Sequence, residues 1–325
     1  MKVQTFSIVV GTRACNARCP FCVSRMTGFD EIPKRGEIYR PNFEKACKLA
    51  KLAGTTTVLM TGKGEPTLYP DEVTEYLALL APYGFPLVEI QTNALDIGWL
   101  VRDGHAKHAK GLTRDVLASW RANGLNTIAI SVVSEKPEHN AKVYNEDYPD
   151  LAKTVAFLHD LGFTVRLCVM MQKGAVDTPA RVADILAFCK ANGIEQLTIR
   201  PIRKPKAQTH DGDASGYVTE HGLEDADIEA IRTWVTTNGT PLLSLMHGAA
   251  VYDIDGQNCC LSDCLTVSAT SDDIRTLIFY SDGRVTYDWQ YDGAVILRGV
   301  GEEARRQQPL VRLHTGPRLP EVKGV

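Results

Sequence analysis

Residues 6–10 form a short apolar, β-branched run closed by Gly11, the pattern of a buried strand. Similar runs recur at 55–60, 87–91, 125–133, 163–171 and 196–202. Between them, apolar positions at helical spacing predict helices over 41–53, 71–81, 114–122, 148–161 and 178–192. Asn42 is a candidate cap for the first helix, whose inner face carries Phe43, Ala46, Cys47, Leu49 and Ala50. Six strands, each parted from the next by a loop or helix, predict an α/β fold with a parallel sheet and right-handed crossovers. Six units rather than eight predict a partial (β/α)6 TIM-like barrel, open on one side.

The C-terminal third is patterned differently. Residues 204–222 are polar and read as a loop over the open barrel. A helix is expected over 224–237 and a strand over 241–246. Cys259, Cys260 and Cys264 follow, and then β-rich runs on either side of Asp282-Gly283, a hairpin signal. The expected division is therefore a barrel over 1–240 and, over 241–325, a C-terminal extension containing a β-hairpin. Residues 305–318 read as a basic surface stretch.

Composition narrows the class of protein. The 325 residues are 44% hydrophobic and 23% charged, an ordinary globular balance. A formal net charge of −3 gives no general basic surface, which argues against nucleic acid as a partner. No apolar run reaches the length of a membrane span. Nine cysteines without a secretion signal point to a reducing compartment, the cytoplasm, and to metal binding rather than disulfides. Cys47, Cys168 and Cys189 sit at core positions of predicted elements.

The chemistry concentrates in Cys15-Asn16-Ala17-Arg18-Cys19-Pro20-Phe21-Cys22, directly after the first strand. Thiolates are soft ligands for zinc, copper(I) or iron–sulfur clusters. Structural zinc prefers a fourth protein ligand, and no further Cys or His lies close by. After the second strand comes Gly62-Lys63-Gly64-Glu65-Pro66, where glycines allow a tight turn and close approach. Asn93 and Ser131 stand near the ends of the third and fourth strands, either as ligand contacts or as turn and strand-end residues. Arg166 and Cys168 share one face of the fifth strand, and Arg200 lies on the sixth. A charge at Arg166 requires a partner. His105 and His108 are spaced for a metal, but their lysine- and glycine-rich surroundings favour a solvated loop.

The C-x3-C-x2-C spacing, with Phe21 before the last cysteine, resembles the signature of the radical S-adenosylmethionine (SAM) superfamily. The resemblance covers roughly residues 5–202, and Gly-Lys-Gly-Glu-Pro is similar to that superfamily's Gly-Gly-Glu-Pro motif, with Lys63 as a departure. It implies a [4Fe–4S] cluster on Cys15, Cys19 and Cys22, with one iron left open for SAM. It also implies SAM contacts from Phe21, Gly62, Lys63, Gly64, Glu65, Asn93, Ser131, Arg166 and Arg200. In it Glu65 would hold the SAM ammonium group, and Arg166 would pair with the SAM carboxylate. The expected activity is reductive cleavage of SAM to a radical that takes hydrogen from a small metabolite, a nucleotide or a peptide. An electron donor such as flavodoxin is implied. The competing class is a non-catalytic zinc or iron–sulfur regulatory module. The cysteine-then-hairpin order near the C-terminus resembles the GTP 3′,8-cyclase type and related two-cluster enzymes, making Cys259, Cys260 and Cys264 candidates for a second iron–sulfur cluster. No cysteine follows the hairpin, and residues 321–325 do not end in Gly-Gly, so that reaction is not carried over.

Overall fold

Strand β5 (Thr164–Met171) shows how the sheet is built: Val165, Leu167, Val169 and Met171 are buried beneath the helices, while Thr164, Arg166, Cys168 and Met170 alternate onto the opposite, concave face. The computed structural model describes residues 2–27, 37–205, 212–245, 248–262, 273–289, 291 and 293–300. Five further strands precede or follow β5 in the expected order: β1 (Val3–Val9), β2 (Thr57–Thr61), β3 (Leu87–Thr92), β4 (Thr127–Val132) and β6 (Gln196–Pro201). All six pair in parallel, each with the next. Their outer faces and the helices between them form one core, with Trp120, Phe6, Phe43 and Tyr76 among its largest side chains.

The remaining strands are β7 (Thr240–Ser244), β8 (Ala250–Ile254), β9 (Gln257–Leu261), β10 (Ile274–Phe279), β11 (Val285–Thr286) and β12 (Val295–Leu297). They extend the same sheet at both ends, in the order β12-β11-β10-β1-β2-β3-β4-β5-β6-β9-β8-β7. β9 joins β6 in parallel, and β10 joins β1 in parallel. Eight consecutive strands are thus parallel, but β9 and β10 do not pair with each other, and the barrel stays open.

The Asp-Gly hairpin is present. Gly283 takes φ +87, β10 turns back antiparallel into β11, and the Tyr280 N–H donates to the Arg284 carbonyl. Its first strand is also a barrel strand, which its local sequence does not reveal. Asn42 is not a cap. The helix Arg40–Leu52 begins after Tyr39, and the buried Asn42 amide donates to the carbonyls of Gly283 and Arg298, tying this helix to the hairpin. Within the stretch read as a loop over the barrel, Asp213–His221 is a helix, because Ala214 and Val218 form a buried apolar stripe. Residues 206–211 lie outside the described residues. Among the described residues no helix is long and apolar enough to cross a membrane.

Candidate active site

Parallel α/β barrels place functional loops at the C-terminal ends of their strands, and here those ends enclose a cavity of about 660 Å³. Cys15, Cys19 and Cys22 line it from the loop after β1, and Gly62, Lys63, Gly64 and Glu65 from the turn after β2. Asn93 reaches it from the end of β3 and Ser131 from β4.

Backbone contact locks the first two segments together. The Glu65 N–H donates to the Ala14 carbonyl at 3.0 Å. A Cβ on Gly64 would overlap that same carbonyl oxygen and lie 2.7 Å from the Thr12 oxygen. The room provided by Gly64 is therefore taken up by the chain's own cysteine loop.

Side chains complete the frame. Asn93 Nδ2 donates to Asn16 Oδ1 at 2.7 Å and reaches Cys15 Sγ at 3.8 Å. Asn16 Nδ2 donates to Asp96, which is fully buried and also accepts the His108 N–H, both at 2.7 Å. Asn145 donates to the Asn16 carbonyl, and the Arg18 N–H to the Tyr144 carbonyl. The cysteine loop is thus held from β2, β3 and the segment after β4. Asn16, Asp96 and Asn145 were missed in the sequence. Asn16 is nearly visible there, since it lies inside the cysteine motif; its partners are 80 and 129 residues away. Ala94, the residue that turns Asn93 into the following helix, takes φ +56, a strained value for a residue with a side chain.

Glu65 is 3% exposed and tightly engaged. Its Oε1 accepts from Thr67 N, Thr67 Oγ1 and Thr92 Oγ1, and its Oε2 from Asn93 N, all within 3.0 Å. Burial pushes its carboxyl above the ordinary value, and the four donors pull it back. The resemblance assigns this group to a ligand ammonium, but here it is first a clamp joining β2 to β3. Only Oε2, with a single donor, keeps capacity for a ligand. Replacing Glu65 by Gln puts an NH2 group against at least one of these donors. The expected cost is about 1–3 kcal/mol of stability, read as a lower denaturation midpoint, together with weaker SAM binding.

Three other expected contacts lie away from the cavity. Arg166 donates to Glu89 at 2.7 Å, a carboxylate of the barrel wall 77 residues away in sequence. Phe21 is 6% exposed and packs against Tyr217 with ring centroids 6.3 Å apart. Arg200 donates through Nε to Met170 Sδ at 3.0 Å.

Cys259 and Cys260 are neighbours on β9 and point to opposite faces. Cys259 is fully buried in the helical layer near Cys189; Cys260 lies on the concave face in register with Thr198, which in turn pairs with Cys168. The strand therefore keeps this pair from acting as joint ligands of one cluster. Cys264 lies outside the described residues. His105 and His108 are exposed in a loop; the His105 ring meets the Asp103 carbonyl and His108 lies against Trp99.

Desolvation pushes Cys15 up to about 11 and Cys19 higher still. Loading a metal there must release protons. Among the described residues no trio of His, Cys, Asp or Glu converges as ligands of a single ion would. A four-iron cube instead spreads its thiolates over separate irons, and three cysteines on one loop beside an open cavity fit that arrangement.

The class that the fold and site define is an open parallel α/β barrel with three thiols gathered at its strand ends. A model of the family described as "Radical SAM superfamily" matches residues 9–196, well over half of the chain. The chain belongs to the radical SAM superfamily. It is similar to the GTP 3',8-cyclase of Aquifex aeolicus (strain VF5), with 26% identity over 198 residues, 60% of this chain and 54% of the relative. The chain thus matches little more than half the length of that curated relative. Among solved structures it is similar in fold to Streptococcus suis SuiB bound to S-adenosylmethionine, with a TM-score of 0.54 at 15% identity. That match covers 87% of this chain and 60% of the SuiB chain. SuiB bound to precursor peptide SuiA gives a TM-score of 0.50, also at 15% identity, over 88% and 59% of the two chains.

Proposed function

We propose that this chain is a radical SAM enzyme, with a [4Fe–4S] cluster on Cys15, Cys19 and Cys22 and SAM in the adjoining cavity. The observation that carries the reading is the convergence of these cysteines with Gly62 to Glu65, Asn93 and Ser131 on one cavity. When bound to Cys15, Cys19 and Cys22, the cluster would supply the electron for reductive cleavage of SAM, and the radical chemistry on a substrate carbon would belong to the cofactor. The protein's own contribution is positioning. Asn93 and Asn16 fix the cysteine loop, the Gly-Lys-Gly-Glu turn braces it, and Glu65 joins β2 to β3.

The substrate is a small metabolite, a nucleotide or a peptide, drawn into the barrel's concave side. An electron donor such as flavodoxin and a cytoplasmic, reducing setting complete the proposal. Residues 1–240 supply six of the eight parallel strands of the catalytic barrel, and β9 and β10 of the C-terminal extension add one at each open edge. A one-cluster enzyme is favoured by the divergence of Cys259 and Cys260 on β9.

Iron and sulfide analysis of anaerobically reconstituted protein tests this reading. About four irons and four sulfides per chain are expected. Zinc without sulfide would overturn it in favour of the non-catalytic module.

A further inference from the structure

Tyr144 carries a hydroxyl that the fold leaves unspent. The residue follows the helix Pro137–Val143, beyond the C-terminal end of β4, and is 2% exposed. Among the described residues its Oη has no hydrogen-bond partner. A buried donor is costly unless some group in the working protein accepts from it. A phenol keeps its proton at neutral pH, so this one has a hydrogen to give.

Tyr144 lines the same cavity as Cys15, Cys19 and Cys22. Its backbone carbonyl accepts the N–H of Arg18, the residue before Cys19, at 2.9 Å, which fixes the two segments against each other. Its side chain belongs to a small apolar cluster with Ala17 and Phe21, and Cys19 and Met170 pack against that cluster. The titratable groups that bear on the phenol are Cys19, Tyr148, Arg200 and Cys168, with no carboxylate among them. Tyr148 stands beside it, the ring centroids 6.1 Å apart, and Arg200 donates to Met170 Sδ. A thiol sulfur is a weak acceptor. A cysteine that holds a metal is a thiolate, and a donor to an anionic sulfur makes one of the stronger hydrogen bonds. Loading the site therefore turns Cys19 into the acceptor that the hydroxyl lacks.

We propose that Tyr144 donates a hydrogen bond from its hydroxyl to the Cys19 thiolate of the bound cluster and so raises the cluster's reduction potential. The inference rests on the cluster reading above and deepens it. Hydrogen bonds to the sulfurs are one of the levers by which a protein sets such a potential. Reduction adds negative charge to the cluster and its sulfurs, so a donor favours the reduced form. Tyr144 acts through a ligand and is a positioning residue.

Redox titration of anaerobically reconstituted protein without SAM, followed by electron paramagnetic resonance, tests the proposal. Tyr144→Phe removes only the hydroxyl. Tyr76→Phe is the matched control: its hydroxyl is also buried without a partner, but in the main core under the helices. Tyr144→Phe should shift the reduction equilibrium about tenfold toward the oxidised cluster, which lowers the midpoint potential by about 59 mV for one electron. Tyr76→Phe should leave the potential at the wild-type value. An ortho-fluorotyrosine at position 144, a stronger donor of nearly the same shape, should raise it, and this measurement stands even if Tyr144→Phe loads no cluster. Unchanged potentials in both replacements of Tyr144, or an equal shift in Tyr76→Phe, would overturn the proposal. So would an unchanged potential with weaker SAM binding in Tyr144→Phe, which would assign the hydroxyl to SAM. Failure of the cluster reading is seen separately, as wild-type protein that holds no iron and sulfide.

Discussion

Joint replacement of Cys15, Cys19 and Cys22 by alanine is expected to abolish SAM cleavage and leave a folded, colourless protein with no bound iron. The three side chains line one cavity, and the loop carrying them is fixed mainly through backbone groups and Asn16. The sheet and its core do not depend on the thiols: none of the three belongs to the main hydrophobic cluster. Far-ultraviolet circular dichroism should therefore match wild type. The same variant decides the number of clusters. Retention of about four irons would place a second cluster elsewhere, with Cys260 on the concave face as its first candidate ligand. Iron-free protein agrees with the single cluster proposed above.

Gly64→Ala is expected to be nearly as damaging, although it adds one methyl group. That methyl would overlap the Ala14 carbonyl and crowd the Thr12 oxygen and Arg13 backbone. These are main-chain atoms of the cysteine loop, with no flexible side chain to yield. Overpacking of this kind costs about 1–3 kcal/mol, and relief comes only by moving the loop off the turn. Lower iron loading and weaker SAM binding should follow, with secondary structure retained. Gly216→Ala is the matched control. Gly216 lies in the helix Asp213–His221, and a Cβ there meets nothing within 4 Å. That change should leave iron loading unaltered and raise helix stability by about 1 kcal/mol or less.

The six barrel strands and most helices were legible because each is a local pattern: a short apolar run or a helical stripe between turn residues. The cysteine motif and the turn after β2 were legible for the same reason. What escaped is non-local. Arg166 needed a partner, and the sequence did not point to Glu89, two strands away, because the two share a face only after β3, β4 and β5 are in register. The Asp-Gly turn gave a hairpin, but the parallel pairing of β10 with β1 joins Ile274 to Val3, far apart in sequence. Cys259 and Cys260 suggested a ligand pair by their spacing, and β9 separates them by the alternation of any strand. Glu65 was found by its motif, while its role as a clamp depended on where Thr92 and Asn93 would arrive.

The central claim is that the cavity bounded by Cys15, Cys19, Cys22 and the Gly62–Glu65 turn supports reductive cleavage of SAM. Anaerobically reconstituted protein, given SAM and dithionite and assayed by chromatography for 5′-deoxyadenosine, tests it most directly. The account predicts 5′-deoxyadenosine that requires both SAM and reductant and is absent from the triple alanine variant. Protein that carries its full complement of iron and sulfide yet forms no 5′-deoxyadenosine, or forms as much in the triple variant as in wild type, would contradict it.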